Sequence, residues 1–446
     1  MKKFTIGFEV EFLIIDKKTG MVAPGIESIL KKVEEKTGDK NNSILTESAK
    51  ELIEVGSYPN VEGPNTMKSL LSNLKLLTYA ADEVGLAVLP LGTYPGKFVP
   101  TILNNKRYNL YMKLFHKNRF KTWGRCAGYH CHYALPWGVF DTKRLTLKEL
   151  GNSKNQESLV NSYNFLIALD PVLTTFMQSS PFYQGHHMAK DSRMIVLRSD
   201  KELGDFQGWQ STRPIFSSLP SYVHTGTDIS HLAEKRKTEW LKTCEEAGVK
   251  EKEAMAPFRS LLSLNWSPLR VNPHGTFEHR GMDMNRLPVL FSVSILIQTL
   301  LRNIQERHLN VVPHDSAKEE PFSFKKKTIY IPPDTYVKQH LQKLSTYEGL
   351  ASDEMLNYCK RAITLAQSMG GKQVMELLKP LNLMLDERQT TSDKILTQAR
   401  ELGHKNMKKI IPQNVASKIA LSHAKQMFED IVLLQEMIET NERLSA

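Results

Sequence analysis

Cysteine is scarce. Four thiols (Cys126, Cys131, Cys244 and Cys359) in 446 residues are too few and too scattered for a disulfide framework. The common nucleotide-binding signatures are missing as well. No Gly-x-x-x-x-Gly-Lys-Ser/Thr loop occurs, and Gly370-Gly371-Lys372 lacks both the upstream glycine and the hydroxyl residue. No Gly-x-Gly-x-x-Gly follows a strand, and no Gly-x-Ser-x-Gly elbow is present. A nucleotide, if bound, must therefore be held by metal ions and basic side chains. There is no internal repeat, zinc-finger spacing, basic tail or aromatic-basic alternation of the kind RNA-binding sheets use. The longest apolar run, Leu287 to Leu301 between Arg286 and Arg302, falls short of a membrane span. Glu9 and Glu11 interrupt the first apolar stretch, so no signal peptide is expected. These absences lead to the expectation of a soluble, cytoplasmic protein with neither membrane nor nucleic-acid partners.

What is present is a large apolar fraction, 41%, and a net charge of +11. The first allows a sizeable core in one or two domains. The second suits phosphate-bearing small molecules, although basic residues spread along a chain usually just solvate its surface. The informative stretch is Gly7-Phe8-Glu9-Val10-Glu11-Phe12. Its period-2 alternation predicts a half-buried strand whose polar face carries two carboxylates about 7 Å apart or closer. Such a pair repels itself and adds nothing to packing, and a hard divalent cation between the two would resolve the conflict.

Three further short strands are unusual in the same way. Glu51-Leu52-Ile53-Glu54-Val55 puts Glu54 on one face. Gly128-Tyr129-His130-Cys131-His132 puts both histidines on one face. Thr276-Phe277-Glu278-His279-Arg280 groups Glu278 with Arg280. Each has a plain reading by itself: a wet edge strand, solvent-facing imidazoles, or a weak surface ion pair. If the four strands are neighbours, Glu9, Glu11, Glu54, His130, His132, Glu278 and Arg280 line one surface. That surface suits two or more Mg²⁺ or Mn²⁺ ions holding a polyphosphate, with Arg280 neutralising the transferred group. Two alternatives remain open from the residues. His130 and His132 could form a zinc or iron hydrolase site, or the chain could be a non-catalytic basic binding protein.

The pattern predicts an α+β body followed by a helical tail. Asn65–Val84 is expected as an amphipathic helix, with buried helices at 160–180 and 286–305. Residues 1–312 form the expected core, 313–333 an exposed connection, and 334–446 a helical region packed on the core. Within the last, Pro412-Gln413-Asn414 starts a long helix whose stripe of Ile419, Met427, Ile431, Leu434 and Ile438 must meet the body or a second copy, a homo-oligomer.

The order of these motifs, together with Arg107-Tyr108 and Ser179-Ser180-Pro181-Phe182-Tyr183-Gln184-Gly185 followed by Ser192-Arg193, resembles the carboxylate–amine ligases, or type 2 glutamate–cysteine ligases. The likeness covers roughly residues 4–285. It implies a glutamine-synthetase-like antiparallel sheet lined by catalytic residues and packed with helices. It also implies ATP-dependent amide formation through an acyl phosphate, in glutathione biosynthesis, with ATP and amino acids as small-molecule partners. By that resemblance Glu9, Glu11, Glu54, His130 and Glu278 would hold Mg²⁺, with Mn²⁺ as a substitute. Arg280 and Glu278 would be catalytic, and Arg193, Arg280 and His132 would face the nucleotide or the substrate carboxylate.

Overall fold

The computed structural model describes residues 3–38, 41–148, 151, 153–198, 203–204, 208, 213–264 and 266–445. Strand β1 (Ile6–Asp16) is the axis of a seven-stranded sheet with β2 (Ile44–Thr46), β3 (Leu52–Gly56), β4 (Leu86–Leu89), β5 (Gly128–Ala134), β6 (Leu269–Asn272) and β7 (Thr276–Asp283). The spatial order is β6-β7-β5-β1-β3-β2, and β4 pairs with the far end of β1. Every pairing in this sheet is antiparallel.

Alternation sorts the two faces. Phe8, Val10 and Phe12 of β1 and Tyr129, Cys131 and Tyr133 of β5 turn to one side and are fully buried. Three helices cover that side: α1 (Gly63–Glu83) against β1 and β3, α2 (Lys154–Met177) against β7, and α4 (Leu287–Arg307) against β5, with the short α3 (Ser192–Arg198) following α2. The stripe Met67, Leu70, Leu71, Leu74 and Leu77 is the buried side of α1. Helix α4 extends beyond the apolar run to Arg307. It is therefore long and apolar enough to cross a membrane by length and composition, yet 89% of its apolar window is buried inside the molecule. A core helix passes the same test.

One expectation needs correction, and one open choice is decided. Residues 313–333 are not a bare connection. Thr328–Ile331 pairs in parallel with Asn310–Pro313 and antiparallel with Phe324–Lys325, burying Phe322, Ile329 and Ile331. The exposed runs Lys318-Glu319-Glu320 and Lys325-Lys326-Lys327 interrupt the apolar positions and hide the pattern. The last helix, α5 (Gln413–Ser445), spends its whole stripe inside the molecule, against α1, β4, α4 and the Asp353–Leu377 helix. Ile419, Met427, Ile431, Leu434 and Ile438 are buried there, so the stripe gives no basis for a second copy.

A second, aromatic-rich core forms on the polar side of the sheet. Tyr111, Phe120, Trp123, Phe216, Trp240 and Trp266 are among its buried members.

Candidate active site

Pairing register decides which side chains meet. Glu9 lies opposite His130, and Gly7 opposite His132, across β1 and β5. Glu11 lies opposite Glu54 across β1 and β3. On β7, Glu278 stands opposite His132, and on β6 Arg270 stands opposite Glu278. The four odd strands are thus consecutive neighbours, and their polar residues share one face. That face is not wet, as simple alternation predicts, because Glu11, His130 and Glu278 are only 3%, 2% and 1% exposed.

The contacts are close. His130 Nδ1 and His132 Nε2 both stand 3.3 Å from Glu9 Oε2, and His130 Nε2 is 3.5 Å from Glu11 Oε1. The Gly128 N–H donates to Glu11 Oε2 at 2.6 Å, and His132 Nδ1 is 3.0 Å from Thr276 Oγ1. Among the described residues, three sets can each bring three ligand atoms within 4.8 Å of one another: Glu9, Glu54 and His130; Glu9, His132 and Glu278; Glu11, Glu47 and Glu54. All five metal ligands expected from the sequence fall in these sets, and His132 and Glu47 join them. No set contains both histidines, and Cys131 points into the core on the opposite face. The arrangement is thus carboxylate-dominated, with one imidazole per set at most, a donor chemistry that fits Mg²⁺ or Mn²⁺ better than zinc.

Protonation reflects the crowding. Burial, with the Glu11 charge beside it, pushes the Glu47 carboxyl up to about 8. Burial followed by Glu9, Glu47 and Glu11 raises Glu54 well above the usual carboxylate range. Burial also opposes ionisation of Glu9, but His132 and His130 together hold it well below its ordinary value. Burial and Arg280 lower His130, whereas Glu9 outweighs burial and raises His132. The buried His130 Nε2 and His132 Nε2 face only carboxylate oxygens, of Glu11 and Glu9 respectively. Crowded, partly protonated carboxylates beside imidazole nitrogens fit a group of divalent cations.

Cationic side chains close one flank. Glu278 accepts from Arg270 Nε at 2.6 Å and Nη2 at 3.2 Å, is bonded by Asn272 Nδ2, and lies 3.4 Å from Arg280 Nη1. Burial opposes its ionisation, but Arg270, Arg280 and His132 keep it charged far into acid. Glu278 nonetheless stays within reach of Glu9 and His132 as a candidate ligand. Arg193, from the first turn of α3, lies against β5. A Cβ at Gly128 would sit 2.2 Å from its Nη2, so only glycine leaves space there. Every site residue expected from sequence is therefore in one place. Sequence reasoning missed Glu47, Arg270, Asn272 and Trp266. Glu47 follows a three-residue strand too short to show alternation, and Arg270 could have been found only by recognising β6 and β7 as a hairpin through Asn272-Pro273-His274-Gly275.

Sequence comparison matches residues 5–405 to the glutamate–cysteine ligase family 2. The chain belongs to that family. Glutamate–cysteine ligase family 2 is a group of ATP-dependent ligases tied to glutathione formation. No curated protein matches the sequence. Among solved structures, the chain is similar in fold to a glutamate–cysteine ligase from Francisella tularensis in complex with AMP, at 13% identity and a TM-score of 0.57 over 99% of this chain and 93% of that one. It is likewise similar to a bifunctional glutathione synthetase from Pasteurella multocida, at 14% identity and a TM-score of 0.56 over 95% of this chain. It spans 53% of the length of the Pasteurella protein. All of α5 lies beyond the family match.

Proposed function

We propose that this family member joins the γ-carboxylate of glutamate to the amine of cysteine or another amino acid, consuming ATP. The observation that carries the reading is the set of three overlapping carboxylate-rich ligand groups, flanked by arginines, on one buried sheet face. In this mechanism the substrate carboxylate attacks the terminal phosphorus of ATP, the bond to ADP breaks, and an acyl phosphate forms. The amine nitrogen then attacks the acyl carbon, phosphate leaves with the bonding pair, and the nitrogen loses a proton to give the amide. Glu9, Glu11, Glu47, Glu54, Glu278, His130 and His132 would hold the cations. Magnesium, when bound, supplies charge neutralisation and alignment of the phosphates. Arg280 meets the charge on the transferred phosphoryl group, and Arg193 takes a phosphate or carboxylate oxygen.

The test is ADP release with Mg²⁺, ATP, glutamate and a panel of amines, cysteine first. Turnover is expected with at least one pair. Glu9→Gln and Glu278→Gln are each expected to lower it by on the order of 100-fold or more. Turnover within a few-fold of the unsubstituted protein in both variants would show that the cation cradle is misassigned.

A further inference from the structure

Two guanidinium groups placed in one buried site repel each other, and burial makes this worse. Here both approach a single indole. The guanidinium carbons of Arg193 and Arg280 lie 5.8 and 6.0 Å from the centre of the Trp266 ring. Arg193 Nη2 donates to the Arg280 carbonyl at 3.4 Å, so the two residues are in contact. Arg193, Trp266 and Arg280 are all buried, at 2%, 4% and 7% exposure.

Their hydrogen bonding is incomplete. The Nε atoms of both arginines are buried without a partner. An unpaired buried donor is costly, more so on a charged group, and such groups in a folded protein call for an anion. The same short segment also fixes the second arginine through its backbone, since the Arg280 N–H donates to the Pro268 carbonyl at 2.8 Å. On its other side Arg193 is pressed against β5 at Gly128. Trp266 belongs to the aromatic core rather than to the sheet, so it links that core to the charged face.

We propose that Trp266 is a positioning residue: its ring sets Arg193 and Arg280 side by side so that both take one phosphate-class anion. The attraction of a ring face for a cation offsets part of the repulsion between the arginines and removes their freedom to swing apart. The inference rests on the ligase reading only in identifying that anion as the terminal phosphate of ATP.

The probe is inorganic pyrophosphate with Mg²⁺, titrated calorimetrically into the purified protein, alongside the ADP-release assay. Trp266→Leu keeps an apolar side chain and removes the ring, and is expected to weaken pyrophosphate binding about 10-fold. If the enzyme turns over, kcat should fall by a similar factor while KM for the amino acids stays within about twofold. Trp266→Phe restores a ring face and is expected to remain within about threefold of the unsubstituted protein. Gly128→Ala attacks the same arrangement from the far side of Arg193 and should reproduce the binding loss, which covers the case of Trp266→Leu failing to fold. Unchanged binding in both Trp266→Leu and Gly128→Ala overturns the proposal. So does Trp266→Phe falling as far as Trp266→Leu, or an unsubstituted protein that does not bind pyrophosphate. A protein that binds pyrophosphate through Trp266 but releases no ADP with any amino-acid pair would leave this inference standing and remove the ligase reading.

Discussion

Glu54 stands opposite Glu11 and close to Glu47, and burial with mutual repulsion raises both carboxyls, Glu47 to about 8 and Glu54 well above the usual carboxylate range. A cation entering this group needs the ionised forms, so its arrival must expel protons. Both carboxyls are raised, hence cation affinity increases with pH and levels off for Glu47 above about 8. Between pH 6 and 8 the apparent affinity for Mn²⁺ should rise by up to about tenfold per pH unit for each proton displaced. Calorimetry at pH 7 in two buffers of different ionisation heat measures those protons directly. Binding that releases none, with a flat pH profile, would mean these carboxylates do not receive the ion. Glu9 and Glu11 were legible in the sequence because two carboxylates share the polar face of a long alternating strand. Glu47 was not, because it lies in a loop and reaches the ion group only through tertiary placement. Trp266 was hidden for a similar reason, since a tryptophan in an irregular segment looks like ordinary core until two arginines are found against it.

Long elements with clean periodicity and the short strands carrying the charged motifs were read correctly, and the shortest strands without such a motif were missed. The stripes of α1 and α5 each recur over several turns, and both are buried as the spacing requires. The strand Thr328–Ile331 offers only four residues flanked by lysines, too little pattern to outweigh its charged neighbours. Periodicity identifies a buried face but not what covers it, so α5 left two options open, the body or another subunit. The contacts with α1, β4 and α4 decide for the body. Leu434, fully buried at the centre of that stripe, makes the point measurable. Leu434→Ala should cost about 2–5 kcal/mol, through lost transfer energy and the cavity left behind. Urea unfolding would show a lower midpoint that does not change with protein concentration. A midpoint that rises with concentration would instead place the stripe in a contact between copies.

At the scale of the molecule, the sheet separates two cores and the charged site lies between them. Its apolar face belongs to the larger core, and Trp266 of the aromatic core meets the arginines on its polar face. Without a cation, the folded state confines like charges or their protonated forms in a space that the unfolded chain does not. Binding a divalent ion therefore stabilises the native state by mass action, about 2.7 kcal/mol when the free ion is a hundredfold above its Kd. Thermal unfolding with and without Mn²⁺ should show a midpoint higher by a few degrees in its presence. Glu54→Gln separates the two contributions, because it keeps the side-chain shape and removes one buried acid from the crowd. Metal-free Glu54→Gln protein should match or exceed the unsubstituted protein in midpoint, while its gain from Mn²⁺ shrinks. That exchange, higher intrinsic stability for weaker cation response, is what a site held under charge repulsion must give. A variant that is less stable without the ion and equally responsive to it would mean that Glu54 packs structurally and that the ion group lies elsewhere on the face.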